Sequence, residues 1–226
     1  MIDASASYTG TRDRVEDYFD RTATRVWERL TSDAPVSRIR RTVRAGRERM
    51  RATMLACLPA DLAGARVLDA GCGAGQMCAE LAARGATVVG ADISPALIAI
   101  AGARLAPQLR PKVTFVAGDM LSPELGAFDH VVAMDSLIYY STPDIADALA
   151  RLAGRTRGSI VFTLAPRTPL LTLMWRVGRL FPRADRSPLM VPQDHRAIAR
   201  AAAGRVRHVA RVSSGFYISD CLEHRA

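Results

Sequence analysis

VLDAGCGAG, residues 67–75, sets two aliphatic residues and an aspartate ahead of three glycines at alternate positions. A short apolar run bounded by glycine reads as a buried strand, and the glycines as the turn that leaves it. Glycine at 71, 73 and 75 admits positive φ and removes Cβ atoms from the path of an approaching ligand. QMCAELAARG follows as a helix whose first turn offers free N–H groups, with Gly85 at its C-terminal stop. The turn alone does not name its ligand.

The same alternation repeats downstream. ATVVGAD (86–92), VTFVAGD (113–119), FDHVVAMD (128–135) and GSIVFTLAP (158–166) read as further buried strands. PALIAIAGARLAPQL (95–109), with Pro95 in its first turn, and DIADALARLAG (144–154) read as intervening helices. VRHVARVSS and FYISDCLEH close the chain as two more strands, after the helix HRAIARAAAG. Buried strands alternating with helices predict an α/β fold with a doubly wound, mostly parallel sheet. Upstream, residues 1–10 are small and polar and read as a flexible start. Thr11 to Leu58 is patterned as helix, broken at Pro35, with Gly46 a weak point and Pro59 a stop. The expected organisation is an N-terminal helical arm over 1–58 and a ligand-binding domain over 59–226, with an insertion at about 166–200.

With 226 residues, 49% of them hydrophobic, the chain can bury a full core. Cys57, Cys72, Cys78 and Cys221 form no CxxC pair or Cys/His group, so neither a disulfide framework nor a protein metal site is expected. MIDASASYTG lacks a signal-peptide pattern and no apolar run is long enough to span a bilayer, which predicts a cytoplasmic protein. The net charge of +9 is carried by arginine, Lys112 being the only lysine. Nucleic acid, an anionic membrane surface and an anionic small substrate all suit such a balance, and base composition of the gene accounts for the arginine bias equally well.

Asp69 precedes the glycine turn, Asp92 ends the second strand and Asp119 the third. A carboxylate at the end of strand two can accept both hydroxyls of a ribose. Dinucleotide enzymes and methyltransferases both use such turns, but acidic side chains around this one disfavour a pyrophosphate. VLDAGCGAG, GADIS and AGDM resemble the motifs of class I S-adenosylmethionine-dependent methyltransferases. The resemblance implies a seven-stranded sheet with its last strand inserted antiparallel. It places Asp69 near the methionine ammonium, Gly71, Gly73 and Gly75 along methionine and ribose, Asp92 on the ribose hydroxyls and Ile93 on adenine. Asp119 and Met120 would frame the ring, with Cys72 filling the turn and Met134 lining the site.

MDSLIYYSTP (134–143) lacks the NPPY or DPPY pattern of base and amide N-methyltransferases, and no RNA-binding module is present, so nucleic acid is not expected as partner. YFD (18–20), TATRVWERLT, DSLIYY and the terminal SSGFYISDCLEHRA resemble the magnesium-protoporphyrin O-methyltransferases of chlorophyll and bacteriochlorophyll synthesis. That resemblance implies methylation of one propionate of magnesium-protoporphyrin IX by S-adenosylmethionine, leaving S-adenosylhomocysteine, with magnesium only as part of the substrate. Relatives commonly carry histidine where Tyr139 stands here. The acceptor that the resemblance implies would be a carboxylate with a pKa of about 4.3, already ionised at neutral pH, so that no base would be required.

Tyr139 and Tyr18 are the candidates for orienting the carboxylate or lining the porphyrin. An arginine of the arm, from Arg38, Arg40, Arg41, Arg44 and Arg47, would meet the second propionate, and Trp175 in the apolar segment 168–183 would contact the macrocycle. The resemblance further implies contact with the porphyrin-carrying subunit of magnesium chelatase and peripheral association with a membrane. The other readings are methylation of another hydrophobic small molecule, such as a quinone precursor, and a non-catalytic S-adenosylmethionine-binding partner.

Overall fold

Five of the seven strands form a parallel sheet because they are apolar along almost their whole length, and only a sheet covered on both faces tolerates that. The structure is a computed structural model and describes residues 4–19, 38–169, 171–172, 190–202 and 206–225. Its elements are α1 (Ala4–Tyr18), α2 (Arg38–Leu55), β1 (Arg66–Ala70), α3 (Gln76–Ala83), β2 (Thr87–Asp92), α4 (Pro95–Arg104) and β3 (Val113–Ala117). They continue with β4 (His130–Ala133), α5 (Thr142–Ala153), β5 (Ser159–Leu164), α6 (His195–Ala201), β6 (Val206–Ser214) and β7 (Tyr217–Arg225). The strand order is β3-β2-β1-β4-β5-β7-β6, with β7 antiparallel to both neighbours. This is the mostly parallel seven-stranded sheet with its last strand inserted antiparallel that the resemblance implied.

Local chemistry sets the helix starts. Ser94 caps α4, accepting from Leu97 N at 3.3 Å, with Pro95 in the first turn. Ser141 and Asp144 cap α5 reciprocally, Ser141 Oγ accepting from Asp144 N and Asp144 Oδ2 from Ser141 N. The sheet then separates two apolar layers. Leu68, Val131, Ile160 and Phe162 pack toward α5 on one face, and Val67, Val88, Val132 and Val161 pack toward α2 and α3 on the other. Each such side chain, fully buried, stabilises the fold by about 1.5–3 kcal/mol relative to exposure. The edge strand β6 carries Arg207 and Arg211, which pair with Glu223 and Asp220 of β7. Charges along an edge oppose pairing with a further strand.

Two expectations change. Residues 4–10 form the first turns of α1, not a flexible start, because Tyr8 is drawn into the core: it is 6% exposed and stacks on Tyr140 at 4.9 Å. Gly46 is a contact in α2, not a weak point. A Cβ there would come within 2.6 Å of the Tyr217 ring, so the missing side chain lets α2 lie directly on β7. Met50 and Met54 bury the same face. Among the described residues no helix is long and apolar enough to cross a membrane.

Candidate active site

Open doubly wound sheets hold ligands beyond the carboxyl ends of the strands, where the strand order reverses. Here that point lies between β1 and β4, and the turn Gly71–Gly75 leaves β1 at that edge. A cavity opens there. Gly71 N and Cys72 N both donate to the Ala91 carbonyl, at 2.8 and 3.0 Å, folding the turn across the end of β2. Gly71 and Gly73 have φ of 79° and 53°, a region that costs other residues steric strain. Asp92 ties the turn from the other side. Its Oδ2 accepts from Gly73 N at 2.8 Å and its Oδ1 from Ser94 N at 3.0 Å.

Of the residues singled out in the sequence, Arg47, Asp69, Gly71, Cys72, Gly73, Asp92, Ile93, Met120, Met134 and Tyr139 line this cavity. Gly75 sits just behind it as the N-cap of α3. Asp119 lies outside the wall and holds α1 in place: its Oδ1 accepts from Tyr8 Oη and Leu121 N, each at 2.8 Å, and Arg12 lies 3.5 Å from Oδ2. Tyr18 is half-buried against Phe19, ring centroids 5.4 Å apart, and Phe19 rather than Tyr18 reaches the cavity. Arg41 is exposed on α2 and not part of the wall. The Arg38 side chain and Trp175 lie outside the described residues.

Sequence reasoning missed the group that closes the far end. Asp135, just after β4, has a left-handed backbone with φ 57°. Its N–H donates to Thr163 Oγ1 at 2.7 Å, Oδ1 accepts from Tyr217 Oη at 3.1 Å, and Oδ2 pairs with Arg47 of α2. Arg47, Asp135, Ser136, Tyr8 and Phe19 all face the cavity. Asp135 ends the stretch 128–135 read as a strand just as Asp92 ends 86–92, so the same strand-end rule marks it; nothing in the small, polar start marks Tyr8.

Burial decides the protonation states. Asp69 is 1% exposed, and burial pushes its carboxyl up from 3.8 to about 7, against the opposing hydrogen bond from Cys78 Sγ at 3.0 Å. For Cys72 a hydrogen bond with Cys78 pulls the thiol down, but burial and the nearby Asp69 and Asp92 prevail and hold it up at about 11. Burial also raises the phenols of Tyr139 and Tyr8, so both remain protonated at neutral pH.

Asp69 yields a test. In the unfolded chain it titrates near 3.8, so between there and about pH 7 the native state keeps a proton that the unfolded state has lost. Stability therefore falls as pH rises through that window. Asp69→Asn cannot ionise, and its urea midpoint is expected to drop less than that of the parent between pH 5 and pH 8. Parallel curves for the two proteins would contradict the buried, protonated carboxyl.

The cavity suits a nucleoside with an amino-acid tail. Among the described residues, Gly73 has open space where a Cβ would stand and Ser136 Oγ, buried beside Gly71, has no hydrogen-bond partner, while Asp92 offers a carboxylate. Sheet order, glycine turn and strand-end carboxylate together define a class I S-adenosylmethionine-dependent methyltransferase. A family model described as a methyltransferase domain matches residues 67–157, and one described as the magnesium-protoporphyrin IX methyltransferase C-terminus matches residues 133–226. The chain is 57% identical over 221 residues to the magnesium-protoporphyrin O-methyltransferase of Rhodobacter capsulatus, covering 97% of this chain and 99% of that one. It is 31% identical to the Synechocystis protein of the same name, over 92% and 94% of the two chains. The crystal structure of magnesium protoporphyrin IX methyltransferase from Synechocystis PCC 6803 with bound SAH matches with a TM-score of 0.81 at 29% identity, over 94% of this chain and 98% of that one. The chain belongs to the magnesium-protoporphyrin O-methyltransferase family.

Proposed function

We infer that this chain transfers a methyl group from S-adenosylmethionine to a propionate carboxylate of magnesium-protoporphyrin IX, giving the monomethyl ester. One observation carries the reading: a single cavity joins the glycine turn and Asp92 to a second end walled by Tyr139, Phe19 and Arg47. When bound, S-adenosylmethionine supplies an electrophilic methyl group on a sulfonium.

The chain's residues divide the remaining work. Asp92, held in place by Gly73 N and Ser94 N, is the acceptor for the ribose hydroxyls, since a carboxylate oxygen accepts more than one hydrogen bond. Ile93, Leu97 and Met120 form an apolar slot for adenine. Asp69 sits where the methionine ammonium belongs, and Gly71 and Gly73 leave the room it needs. At the acceptor end, Val15, Phe19 and Tyr139 present an apolar panel to a flat macrocycle and keep water out. Tyr139 is protonated, so it orients the carboxylate by hydrogen bonding and removes no proton. Catalysis is then mainly alignment of carboxylate oxygen with methyl group, an effect that reaches about 7–11 kcal/mol in favourable cases. Magnesium enters as part of the substrate.

The test incubates the protein with methyl-labelled S-adenosylmethionine and magnesium-protoporphyrin IX, beside metal-free protoporphyrin and bulk tRNA. An alkali-labile label on the magnesium porphyrin is expected. Intact S-adenosylmethionine binding without labelled porphyrin would sink the substrate and leave the cofactor. Residues 1–58 acting as an arm over the substrate, delivery by the porphyrin-carrying subunit of magnesium chelatase, and peripheral contact with an anionic membrane complete the reading. The net charge of +9 supports the last two.

A further inference from the structure

The ion pair between Arg47 and Asp135 lies in the cavity wall, with the two side chains 16% and 8% exposed. A buried pair of this kind is seldom more stabilising than apolar residues of the same volume, and its retention calls for another reason. Asp135 is held from two elements besides, by Thr163 of β5 at its backbone and side chain and by Tyr217 of β7, and its own backbone is left-handed. Strained backbone kept in place by so many partners is found at functional sites, because only the surroundings can maintain it. The other partner is equally constrained. Gly46 lets α2 settle on Tyr217, and that contact brings the next residue, Arg47, to the cavity.

We propose that Arg47, oriented by Asp135, receives the acceptor propionate of the porphyrin, and that Asp135 is its positioning residue. The inference deepens the proposed function and rests on it. Location selects the acceptor propionate over the second one. Asp135 adjoins Ser136, whose side chain packs on Gly71 of the cofactor turn, so a carboxylate held by Arg47 is held at the methyl-donor end. A guanidinium carries five N–H donors in a fixed fork, enough to meet carboxylates on more than one edge. Asp135 also solves a chemical problem. A lone buried cation would bind the propionate firmly and damp its attack on the sulfonium, whereas a pair with no net charge orients the oxygen and leaves its negative charge available. The same fork favours a carboxylate over a phenol as acceptor.

The experiment measures binding apart from turnover. Magnesium-protoporphyrin IX and its dimethyl ester, which has no free carboxylate, are titrated by absorbance into the parent, Arg47→Gln, Arg47→Lys and Asp135→Asn proteins. S-adenosylhomocysteine affinity, measured by calorimetry on each, reports an intact fold and cofactor turn. The parent is expected to bind the free acid more tightly than the diester. Arg47→Gln should weaken the free acid by about tenfold or more, the usual consequence of losing a hydrogen bond to a charged group, and leave the diester unchanged. Arg47→Lys should recover part of the difference, keeping charge without the fork. Asp135→Asn should lower kcat more than it raises the porphyrin KM. An Arg47→Gln protein that still separates acid from diester as the parent does overturns the Arg47 assignment alone. A parent that binds S-adenosylhomocysteine but neither porphyrin overturns the substrate, and this inference with it.

Discussion

Asp92→Ala is expected to weaken S-adenosylmethionine binding by about a hundredfold or more while the protein still folds. The carboxylate does two things at once. It accepts from Gly73 N and Ser94 N, tying the glycine turn to the start of α4, and in the proposed function it also accepts from the two ribose hydroxyls. Hydrogen bonds to a charged group contribute about 1.5–3 kcal/mol each, so losing two amounts to at least two decades of affinity. The cost to the apo protein is smaller, because Gly73 N borders the cavity and water can replace the lost acceptor. Asp92→Asn keeps the shape and one oxygen, but its amide turns a donor toward Gly73 N or Ser94 N and loses the charge, so an intermediate loss is expected. Calorimetric titration of the three proteins, with melting curves alongside, checks this. An alanine variant binding within about threefold of the parent would remove Asp92 from the ribose site.

What could be read along the chain was what local pattern controls. The step from VLDA to GCGAG changes hydrophobic run into turn at one point, and β1, the turn and α3 lie where that change predicts. Asp92 follows from the same logic, since a polar residue ending a buried strand must face the carboxyl edge. The choice of Arg47 among five arginines did not follow. All sit on one helix, and which of them faces inward depends on how α2 docks on β7, a strand well over a hundred residues away in the chain. Tyr8 shows the limit in another form. Its neighbours have the composition of a flexible end, and only Asp119 and Tyr140, brought together by the sheet, give it somewhere to go. Asp135 was within reach of the strand-end rule, but its left-handed backbone and three partners exist only once β4, β5, β7 and α2 converge.

The second large effect separates two glycines that look equivalent in the sequence. Gly71→Ala and Gly73→Ala both place a side chain at positive φ, which costs about 1–2 kcal/mol for an L-residue. At Gly71 the new Cβ would also lie 2.4 Å from Ser136 Cβ, an overlap that only movement of the β4 end can relieve. That movement drags Asp135 and Tyr139 with it, so Gly71→Ala should lose stability and ligand binding together. At Gly73 no atom of the described residues lies within 4 Å of the new Cβ. Its stability cost is therefore the backbone strain alone, a melting shift of about 2–8 °C for a domain of this size. The open space is where the cofactor is expected to lie, however, and a methyl group there should weaken S-adenosylhomocysteine binding by at least about a hundredfold, since the backbone must approach the ligand closely. Near-parent stability with lost binding in Gly73→Ala, against joint loss in Gly71→Ala, is the expected outcome. Near-parent binding by a folded Gly73→Ala protein would mean that the ligand does not cross the face of the turn, and the cofactor pose built on Asp92 would have to be redrawn.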